Sequence, residues 1–394
     1  MFIRFVQETA PSCCWRLPRV SYTVGAVVDL ISYRGALIRR ISLIVAFGLV
    51  LVACTGGGAP DRAETIAVEA CVESANPYES LCGRALEGPT GLVLVVGDTV
   101  VDIDADTRQR IEGLPDGSGF VPPASQPIWA QRVGSDAVVG VADSSGRLEV
   151  FTVRPGSLRA IPVGFGSPIP GLGGVWLREK ISADECRLSK VTLGGDILSA
   201  STSVGCDVSL IEETSVGLVG VREVEGVFSG VILDSENPST TLFEIGSIRG
   251  IFGSRVLHQA GGGSDFVVFD TLTGEEITID LPVRFGQPSY GRLSPDGRYL
   301  AIPFKSPLQV FDIWVLDTET LQWARVPSMP VASGVKATSL AWVPDGRLII
   351  LLTLEPAGHQ LATWTPGDSE LQVRQLDYEL EASVAVWCTT NECE

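Results

Sequence analysis

The most regular group of acidic residues in the chain is Asp102-Ile-Asp104-Ala-Asp106. Alternating carboxylates of this kind occur in calcium-binding loops, because Ca²⁺ takes several oxygen ligands. An EF-hand loop also needs Gly at its sixth position and Glu at its twelfth, and these positions hold Thr107 and Gly113. The EF-hand pattern is therefore incomplete.

Aspartates recur at the same place in later segments, as Asp234-Ser-Glu, Asp270-Thr-Leu and Asp317-Thr-Glu. An Asp that begins a turn accepts hydrogen bonds from backbone N–H groups two or three residues further on. We therefore interpret these residues as the start of hairpin turns, with calcium binding as the alternative. We predict no metal site.

Histidine occurs only at His258 and His359. Their number argues against a His-dependent catalytic triad and against a metal site with several imidazoles. His258 follows Val256-Leu257 on a predicted strand, and His359 lies in a predicted loop after Pro356. The sequence identifies no catalytic residue and implies no cofactor.

A positively charged segment with three arginines, 34–40, precedes the apolar run 41–53. This order is typical of a signal peptide, and the run is too short to span a bilayer comfortably. It ends in Leu51-Val52-Ala53-Cys54, followed by a Gly-rich segment. The motif resembles the bacterial lipoprotein lipobox.

The resemblance implies that Cys54 receives a diacylglycerol group and becomes the first residue of the mature protein. Several acyl chains hold a protein stably on a membrane. We expect a lipid-anchored protein on the outer, extracytoplasmic face of a bacterial cell membrane. An uncleaved single-pass anchor and cleavage without lipid are the alternatives.

The predicted organisation has four parts. Residues 1–33 are a wrongly annotated or disordered leader, with the true start between Val24 and Leu37. The signal peptide is 34–53, and 54–90 is a tether or stalk with a possible short helix at 62–73. Residues 91–394 form one folded domain.

Six cysteines remain after Cys54 and the leader pair Cys13-Cys14 are set aside, and an even number in an exported protein predicts disulfides. Cys186 and Cys206 flank a predicted hairpin that turns at Gly194-Gly195, so we favour this bond. The other candidates are Cys71 with Cys82 and Cys388 with Cys393. Crossed pairing between these last four is the alternative.

The clearest internal repeat joins 293–302, LSPDGRYLAI, to 342–351, WVPDGRLIIL. Asp-Gly between apolar, β-favouring runs is a strong hairpin signal, because Gly adopts positive φ without a steric penalty. Self-similarity at a period near 50 residues indicates a repeat architecture.

Residues 91–394 divide into seven units of about 43 residues, the length of a propeller blade. Gly91 to Leu114 supplies three strands and 382–388 a fourth, so the ends complete one blade and close the ring. Six uninterrupted units lie between them, at about 126–163, 164–205, 206–248, 249–284, 285–331 and 332–380. We predict an all-β fold, a single β-propeller, with seven four-stranded blades; six and eight blades are the alternatives.

The run 293–302, followed by Ile313-Trp-Val-Leu-Asp-Thr318, resembles the TolB-type, WD-like propeller repeat, and 342–351 is a weaker copy. The resemblance covers about two blades. It departs from TolB-type proteins because 55–90 cannot hold their N-terminal α/β domain, and the Trp-Asp mark of WD repeats is absent. A role in protein interaction is implied at the level of fold alone.

Three tryptophans, Trp129, Trp342 and Trp387, lie on predicted innermost strands. Their expected role is packing between blades. An aromatic lining for a ligand at the mouth of the channel is the alternative.

The chain has 29 basic and 47 acidic residues, a net charge of −18. We expect no nucleic-acid partner, since phosphate binding needs clusters of Lys and Arg. The favoured function is a monomeric, non-catalytic binding module at the cell envelope, with an unknown protein or small-molecule partner. The alternative is a lyase, lactonase or glycosidase with a carboxylate/Arg site in the channel. A cluster of ionisable groups at the channel favours the enzyme, and an apolar patch on one rim favours the binding module.

Overall fold

The computed structural model describes residues 81–115, 127–142, 147–199, 201–224, 227–233, 240–244, 246–259, 265–280, 286–306, 310–331, 337–354, 358–377 and 384–388. Regular structure in these residues is entirely β, with thirty strands in seven sheets. Nowhere in these ranges is there a helix of the length and apolarity that crossing a membrane requires. The predicted signal peptide, Cys54 and the possible helix at 62–73 lie outside the described residues.

The strands follow one another as successive four-stranded blades. The first strands are β1 (Arg84–Ala85), β2 (Leu92–Val96), β3 (Thr99–Asp102) and β4 (Thr107–Arg110). Blade 2 contains β5 (Pro127–Val133), β6 (Asp136–Ala142), β7 (Leu148–Val153) and β8 (Ala160–Phe165). Blade 3 contains β9 (Ser167–Gly171), β10 (Gly174–Lys180), β11 (Glu185–Val191) and β12 (Thr202–Gly205).

The second half of the ring continues this pattern. Blade 4 contains β13 (Val208–Thr214), β14 (Gly217–Val224), β15 (Val227–Leu233) and β16 (Thr240–Glu244). Blade 5 contains β17 (Ser247–Phe252), β18 (Arg255–Gln259), β19 (Phe266–Asp270) and β20 (Glu276–Ile279). Blade 6 contains β21 (Gln287–Pro288), β22 (Arg292–Leu293), β23 (Tyr299–Lys305), β24 (Phe311–Asp317) and β25 (Trp323–Arg325). Blade 7 contains β26 (Ala337–Trp342), β27 (Leu348–Leu354), β28 (Gly358–Trp364) and β29 (Gln372–Leu376), and the last strand is β30 (Val384–Cys388).

Blade 1 unites segments from opposite ends of the folded region. Its strand order is β30-β2-β3-β4, and β30 pairs antiparallel with β2, with Leu94 opposite Val386. The last strand is therefore innermost, and no sheet edge is left open between the first and last blades. The predicted fold, a seven-bladed propeller with closure by strands from both ends, is confirmed.

The middle strands of a blade are buried on both faces, as β27 demonstrates. Leu348, Ile350 and Leu352 pack with Ile313 of blade 6, whereas Ile349 and Leu351 pack on the opposite side with residues of blade 1. All seven residues of β27 are buried. A continuous apolar run, rather than an alternating one, is what a strand between two neighbouring blades requires.

One Asp-Gly turn joins β22 to β23 within blade 6, and the other joins β26 to β27 within blade 7. Gly297 and Gly346 have φ values of +76° and +86°, which residues other than Gly rarely adopt. The Oδ1 atoms of Asp296 and Asp345 accept hydrogen bonds from the backbone N–H two residues further on, at 3.1 and 3.0 Å. Turn geometry therefore explains both members of each pair.

A proline in an apolar run normally ends the strand or lies at a bulge, and Pro303 does neither. Strand β23 runs through Pro303 to Lys305 and pairs regularly with β24. The interruption falls on the neighbouring inner strand, which is divided into β21 and β22. Pro has no N–H to donate toward that strand, although its carbonyl accepts a hydrogen bond from Ser289 at 2.8 Å.

A disulfide joins Cys186 and Cys206, whose Cα atoms are 5.1 Å apart, at the open end of the β11–β12 hairpin. This is the pair that the sequence favours. Cys71 and Cys393 lie outside the described residues, as does the side chain of Cys388. The other predicted pairings therefore stay predictions.

Residues 84–91 follow the outer edge of blade 7 and reach blade 1. Strand β1 pairs in parallel with β29, and Arg374 Nη2 donates to the Gly88 carbonyl at 2.8 Å. The Asp104 carboxylate accepts hydrogen bonds from the backbone N–H groups of Thr90 and Gly91 at 2.7–2.8 Å. This segment is fastened to two blades before the first propeller strand begins.

Candidate functional site

Three of the predicted turn aspartates have the expected geometry, and Asp234 lies outside the described residues. Asp102 Oδ1 accepts from the N–H groups of residues 104 and 105, both at 2.9 Å, and Asp270 Oδ1 accepts from residues 272 and 273. Asp317 Oδ1 accepts from residues 319 and 320 at 3.0 and 2.9 Å. In the described part of the chain, His, Cys, Asp and Glu side chains form no group of three or more that could hold a metal ion.

Both histidines have structural surroundings. His258 is buried on β18, and its Nδ1 accepts a hydrogen bond from the Gly246 N–H at 3.2 Å. Burial lowers its pKa, so the ring is neutral at neutral pH. His359 lies on β28 rather than in a loop, and its Nδ1 is 2.9 Å from the Thr353 hydroxyl on the adjacent strand.

A cavity of about 530 Å³ lies against the innermost strands of blades 6, 7, 1 and 2. Its volume is within the range of sites for small molecules. Its polar lining consists of Gln131, Arg132, Ser289, Tyr290, Arg292, Lys305 and Ser339. Its apolar lining includes Leu293, Leu340, Trp342 and Val386. This part of the central channel is the candidate site.

The interruption of the inner strand in blade 6 places Tyr290 in the site. Residues 289–291 connect β21 to β22, and two backbone hydrogen bonds hold them. Ser289 N donates to the carbonyl of Pro303 at 2.8 Å, and Gly291 N donates to the carbonyl of Arg249 on blade 5 at 2.7 Å. The connection is thus tied both to its own blade and to the preceding one.

Blade 7 holds the backbone of Arg292 in place. Trp342 is buried on β26, and its indole Nε1 donates to the Arg292 carbonyl at 2.8 Å. The indole also stacks on the Tyr299 ring, with centroids 6.3 Å apart. Trp342 therefore packs between blades, as predicted, and also contributes to the cavity wall. The innermost positions of Trp129 on β5 and Trp387 on β30 are confirmed for the backbone alone.

The charged lining of the cavity is cationic. Arg132 is positioned by a hydrogen bond from its Nε to the Gly134 carbonyl at 2.8 Å. Partial burial lowers the pKa of Arg132 and that of Lys305. Within the described part of the chain, neither Asp nor Glu lines the cavity. The site therefore concentrates positive charge within a strongly acidic chain.

One acidic residue lies beside the cavity lining. Burial raises the pKa of Glu212, on the innermost strand β13, to about 7, and the nearby Tyr290 and Arg292 offset part of this effect. The Tyr290 hydroxyl is buried and makes no hydrogen bond of regular geometry with a described residue. Burial and the Glu212 charge raise the Tyr290 pKa well above its ordinary value.

The neighbouring Glu213 behaves differently, because it has strong partners. Its Oε2 atom lies 2.7 Å from Lys190 Nζ and accepts a hydrogen bond from the Leu172 N–H at 2.7 Å. Glu213 therefore links blade 4 to blade 3. Of the two adjacent glutamates, Glu212 is the one that faces the channel site.

An apolar patch also occurs, on one end of blade 3. Leu172 in the β9–β10 turn is exposed, as are Ile197 and Leu198 in the β11–β12 connection. Three exposed side chains make a small patch of a size that monomeric proteins commonly carry. The ionisable groups of the channel are the more distinctive feature.

Comparisons with known proteins give a fold likeness. No protein-family model and no curated protein matches the chain. Periplasmic gluconolactonase PpgL of Pseudomonas aeruginosa is 14% identical, with 76% of this chain and all of that chain covered at a TM-score of 0.49. Apo AztD of Citrobacter koseri is 11% identical, with 75% and 97% covered at 0.45, and TolB of Acinetobacter baumannii is 11% identical, with 73% and 78% covered at 0.40. At this similarity, function has to be argued from the residues of this chain.

Proposed function

We propose that this protein is an exported β-propeller that binds a small anion in its central channel. The observation that carries the proposal is the charge of the cavity wall. Arg132, Arg292 and Lys305 line it, and no carboxylate among the described residues does, in a chain whose net charge is −18. This local positive charge attracts an anion from solution, although the chain as a whole is negative.

The cations are available to a ligand. Among the described residues, Arg132, Arg292 and Lys305 form no ion pair at salt-bridge distance with a carboxylate, whereas Lys190, Arg325 and Arg374 do. Removing a cation from water without an opposite charge is unfavourable, and a bound anion offsets that cost. The planar Arg side chains also match the two oxygens of a carboxylate or phosphate.

The apolar part of the wall supports an organic anion rather than a bare inorganic ion. Trp342, Leu293 and Leu340 form a surface beside the cations. Small-molecule sites commonly combine such a surface with a few polar groups that fix the orientation of the ligand. A carboxylate or phosphate group attached to a small carbon skeleton fits both parts.

Two observations support a location outside the cytoplasm. The Cys186–Cys206 bond is of a kind that persists in oxidising compartments. The lipobox resemblance at residues 51–54 supports lipid anchoring through Cys54. We therefore propose a binding module held at the outer face of the bacterial cell membrane, which captures its ligand for itself or for an envelope partner.

A second candidate function is catalysis by a carboxylate/Arg site, as in a lyase, lactonase or glycosidase. The observation that favours it is the pair of Glu212 and Tyr290, a carboxylate with a raised pKa beside the buried, neutral hydroxyl of a residue that lines the cavity. Pairs of titratable groups with shifted pKa values are common in acid–base catalysis. Binding remains the first proposal, because Glu212 itself does not line the cavity.

Isothermal titration calorimetry tests the binding proposal. Sulfate serves as the first probe and a panel of small carboxylates as the second. The cavity variants are Arg132→Ala and Lys305→Ala. The control is Arg159→Ala, because Arg159 is exposed and lies on the same blade as Arg132. We expect each cavity variant to weaken binding about tenfold, since a hydrogen bond to a charged group contributes about 1.5–3 kcal/mol. The control should bind as wild type does. Absence of binding by every anion, or equal weakening in the control, would overturn the proposal.

The enzymatic candidate has a separate test. Purified protein is incubated with lactones, glycosides and uronate oligosaccharides, and product is followed by mass spectrometry. Turnover that Tyr290→Phe abolishes would make catalysis the function. If an anion binds but is not turned over, the binding function stands and the enzymatic candidate is overturned.

A further inference from the structure

Glu212 and Glu213 are adjacent on the innermost strand of blade 4 and face different surroundings. A β-bulge interrupts the pairing of β13 with β14 between Leu210 and Glu212. Bulges re-aim side chains locally. Glu213 is held by Lys190 and by the Leu172 N–H on blade 3, whereas Glu212 lies on the side of Tyr290 and Arg292 of blade 6.

The charged surroundings of Glu212 are few. Arg292 is the cation that acts on it, and Tyr290 is the hydroxyl beside it. On the strand between them, β17, Arg249 Nη2 donates to Gln259 Oε1 at 3.2 Å. On the paired strand β14, the residue opposite Glu212 is Val219. Of these groups, Tyr290 and Arg292 favour the ionised form of Glu212, and they offset only part of the effect of burial.

Arg292 and Tyr290 line the cavity, and Glu212 does not. Arg292 is thus shared between a carboxylate behind the wall and an anion in front of it. Tyr290 packs against the apolar cluster that contains Val219 and Ile248, so its hydroxyl is confined near Glu212.

We propose that Glu212 makes anion binding in the channel proton-linked: ionised, its negative charge near Arg292 opposes the bound anion, and protonated, it leaves the positive charge of Arg292 to the anion. This inference rests on the anion-binding function proposed above. It predicts that a proton is taken up when the anion binds, and that the affinity for the anion is higher at slightly acidic pH.

The direction follows from the charges. Because burial raises the pKa of Glu212 to about 7, its carboxyl group changes charge in the neutral range. Tyr290, whose pKa is raised, stays neutral there, so Glu212 is the member of the pair that titrates. An anion in the cavity repels the Glu212 carboxylate and favours its protonated form, and by linkage protonation favours the anion.

The test is calorimetry with sulfate, which keeps its two charges throughout this pH range, whereas phosphate titrates within it. We expect binding to wild type to be about tenfold tighter at pH 6 than at pH 8, the ratio of protonated Glu212 at the two values. Titrations at pH 7 in buffers of different ionisation enthalpy should show uptake of a fraction of a proton for each sulfate bound.

Variants assign the effect to Glu212. Glu212→Gln, which imitates the protonated group, should bind equally at pH 6 and pH 8 with no proton uptake. Glu223→Gln, an exposed carboxylate on the paired strand, should keep the wild-type dependence. Tyr290→Phe should move the midpoint to higher pH, because Tyr290 lowers the Glu212 pKa.

The outcomes separate the two proposals. Sulfate binding that depends on Arg132 and Lys305 but not on pH, without proton uptake, would overturn the proton linkage and leave the anion site in place. No sulfate or carboxylate binding at either pH would overturn both. Proton uptake by wild type is measured without any substitution, so the test survives a Glu212 variant that does not fold.

Discussion

The indole N–H of Trp342 on blade 7 donates to the backbone carbonyl of Arg292 on blade 6, with an N–O distance of 2.8 Å. This bond joins the inner strands of two neighbouring blades at the wall of the cavity. It positions Arg292 through its backbone, so that the guanidinium remains available to a ligand.

We expect Trp342→Phe to destabilise the protein by about 1–2 kcal/mol, because it leaves the Arg292 carbonyl without its donor. It should also weaken anion binding several-fold. The matched control is Trp364→Phe, since the Trp364 indole donates to the Asp368 carbonyl within its own blade at 3.0 Å. The control should lose stability and retain affinity. Urea denaturation measures stability and calorimetry measures anion affinity. An affinity of Trp342→Phe equal to that of Trp364→Phe would contradict the positioning role.

A buried ion pair should dominate the local stability of blade 6. Asp312 is fully buried, and it accepts hydrogen bonds from Arg325 Nε and Nη2 at 3.0 and 2.9 Å and from Trp314 Nε1 at 3.0 Å. Asp312→Asn removes a buried carboxylate charge that Arg325 faces, and we expect a loss of about 3 kcal/mol in urea denaturation.

The comparison for this pair is exposed Asp98, which bonds Arg110 at 3.2 Å with both side chains about half exposed. Asp98→Asn should change stability by about 0.5 kcal/mol or less, as surface pairs do. A loss for Asp312→Asn no larger than this would show that the buried pair contributes little.

The attachment of residues 84–91 to the propeller should weaken at acid pH. Burial raises the pKa of Asp104, but hydrogen bonds from Thr90 and Gly91 and the charge of Arg374 more than offset it, so the pKa is lowered. A lowered pKa stabilises the folded state above the unfolded value of about 3.9. This contribution is lost as pH falls through the folded value.

Asp104→Asn should therefore lower the thermal midpoint at pH 7 and make little difference below about pH 3. Hydrogen exchange of residues 84–91 should be faster in this variant at pH 7. Asp106→Asn is the control, because Asp106 has φ +48°, which Asn tolerates well. A stability difference that persists unchanged at pH 3 would mean that the carboxylate charge is not the cause.

The Cys186–Cys206 bond closes a loop of about 20 residues, and such a crosslink contributes about 3 kcal/mol. We expect Cys186→Ala/Cys206→Ala to lose about this amount in oxidising buffer. Dithiothreitol should then have a smaller effect on the double variant than on wild type. A double variant as stable as wild type would show that the hairpin of blade 3 needs no crosslink.

Local sequence chemistry predicted the propeller well, because each blade repeats the same short-range signals. Asp296-Gly297 and Asp345-Gly346 specify their turns through residues within the turn itself. Ring closure followed from counting strands: three at the start and one at the end make one blade.

The sequence offered Trp342 as an alternative lining of the channel, but it did not identify the charged residues of the candidate site, because they have no spacing relation along the chain. Arg132 and Lys305 are about 170 residues apart and meet only because the ring brings blades 2 and 6 to one cavity. The signal that existed was charge on inner strands, notably Glu212-Glu213, in segments otherwise built of apolar residues and turns. The effect of Pro303 could not be read from its own strand either, because it falls on the neighbouring strand.

The pairing of β30 with β2 sets an order of events during synthesis. These two strands are made about 290 residues apart, so the inner edge of blade 1 has no partner until nearly the whole propeller has emerged. Contacts of such long range form late in folding. Until then the nascent chain presents β2 as an open edge that other strands can join. Completing the ring is thus also the step that removes the opportunity for aggregation.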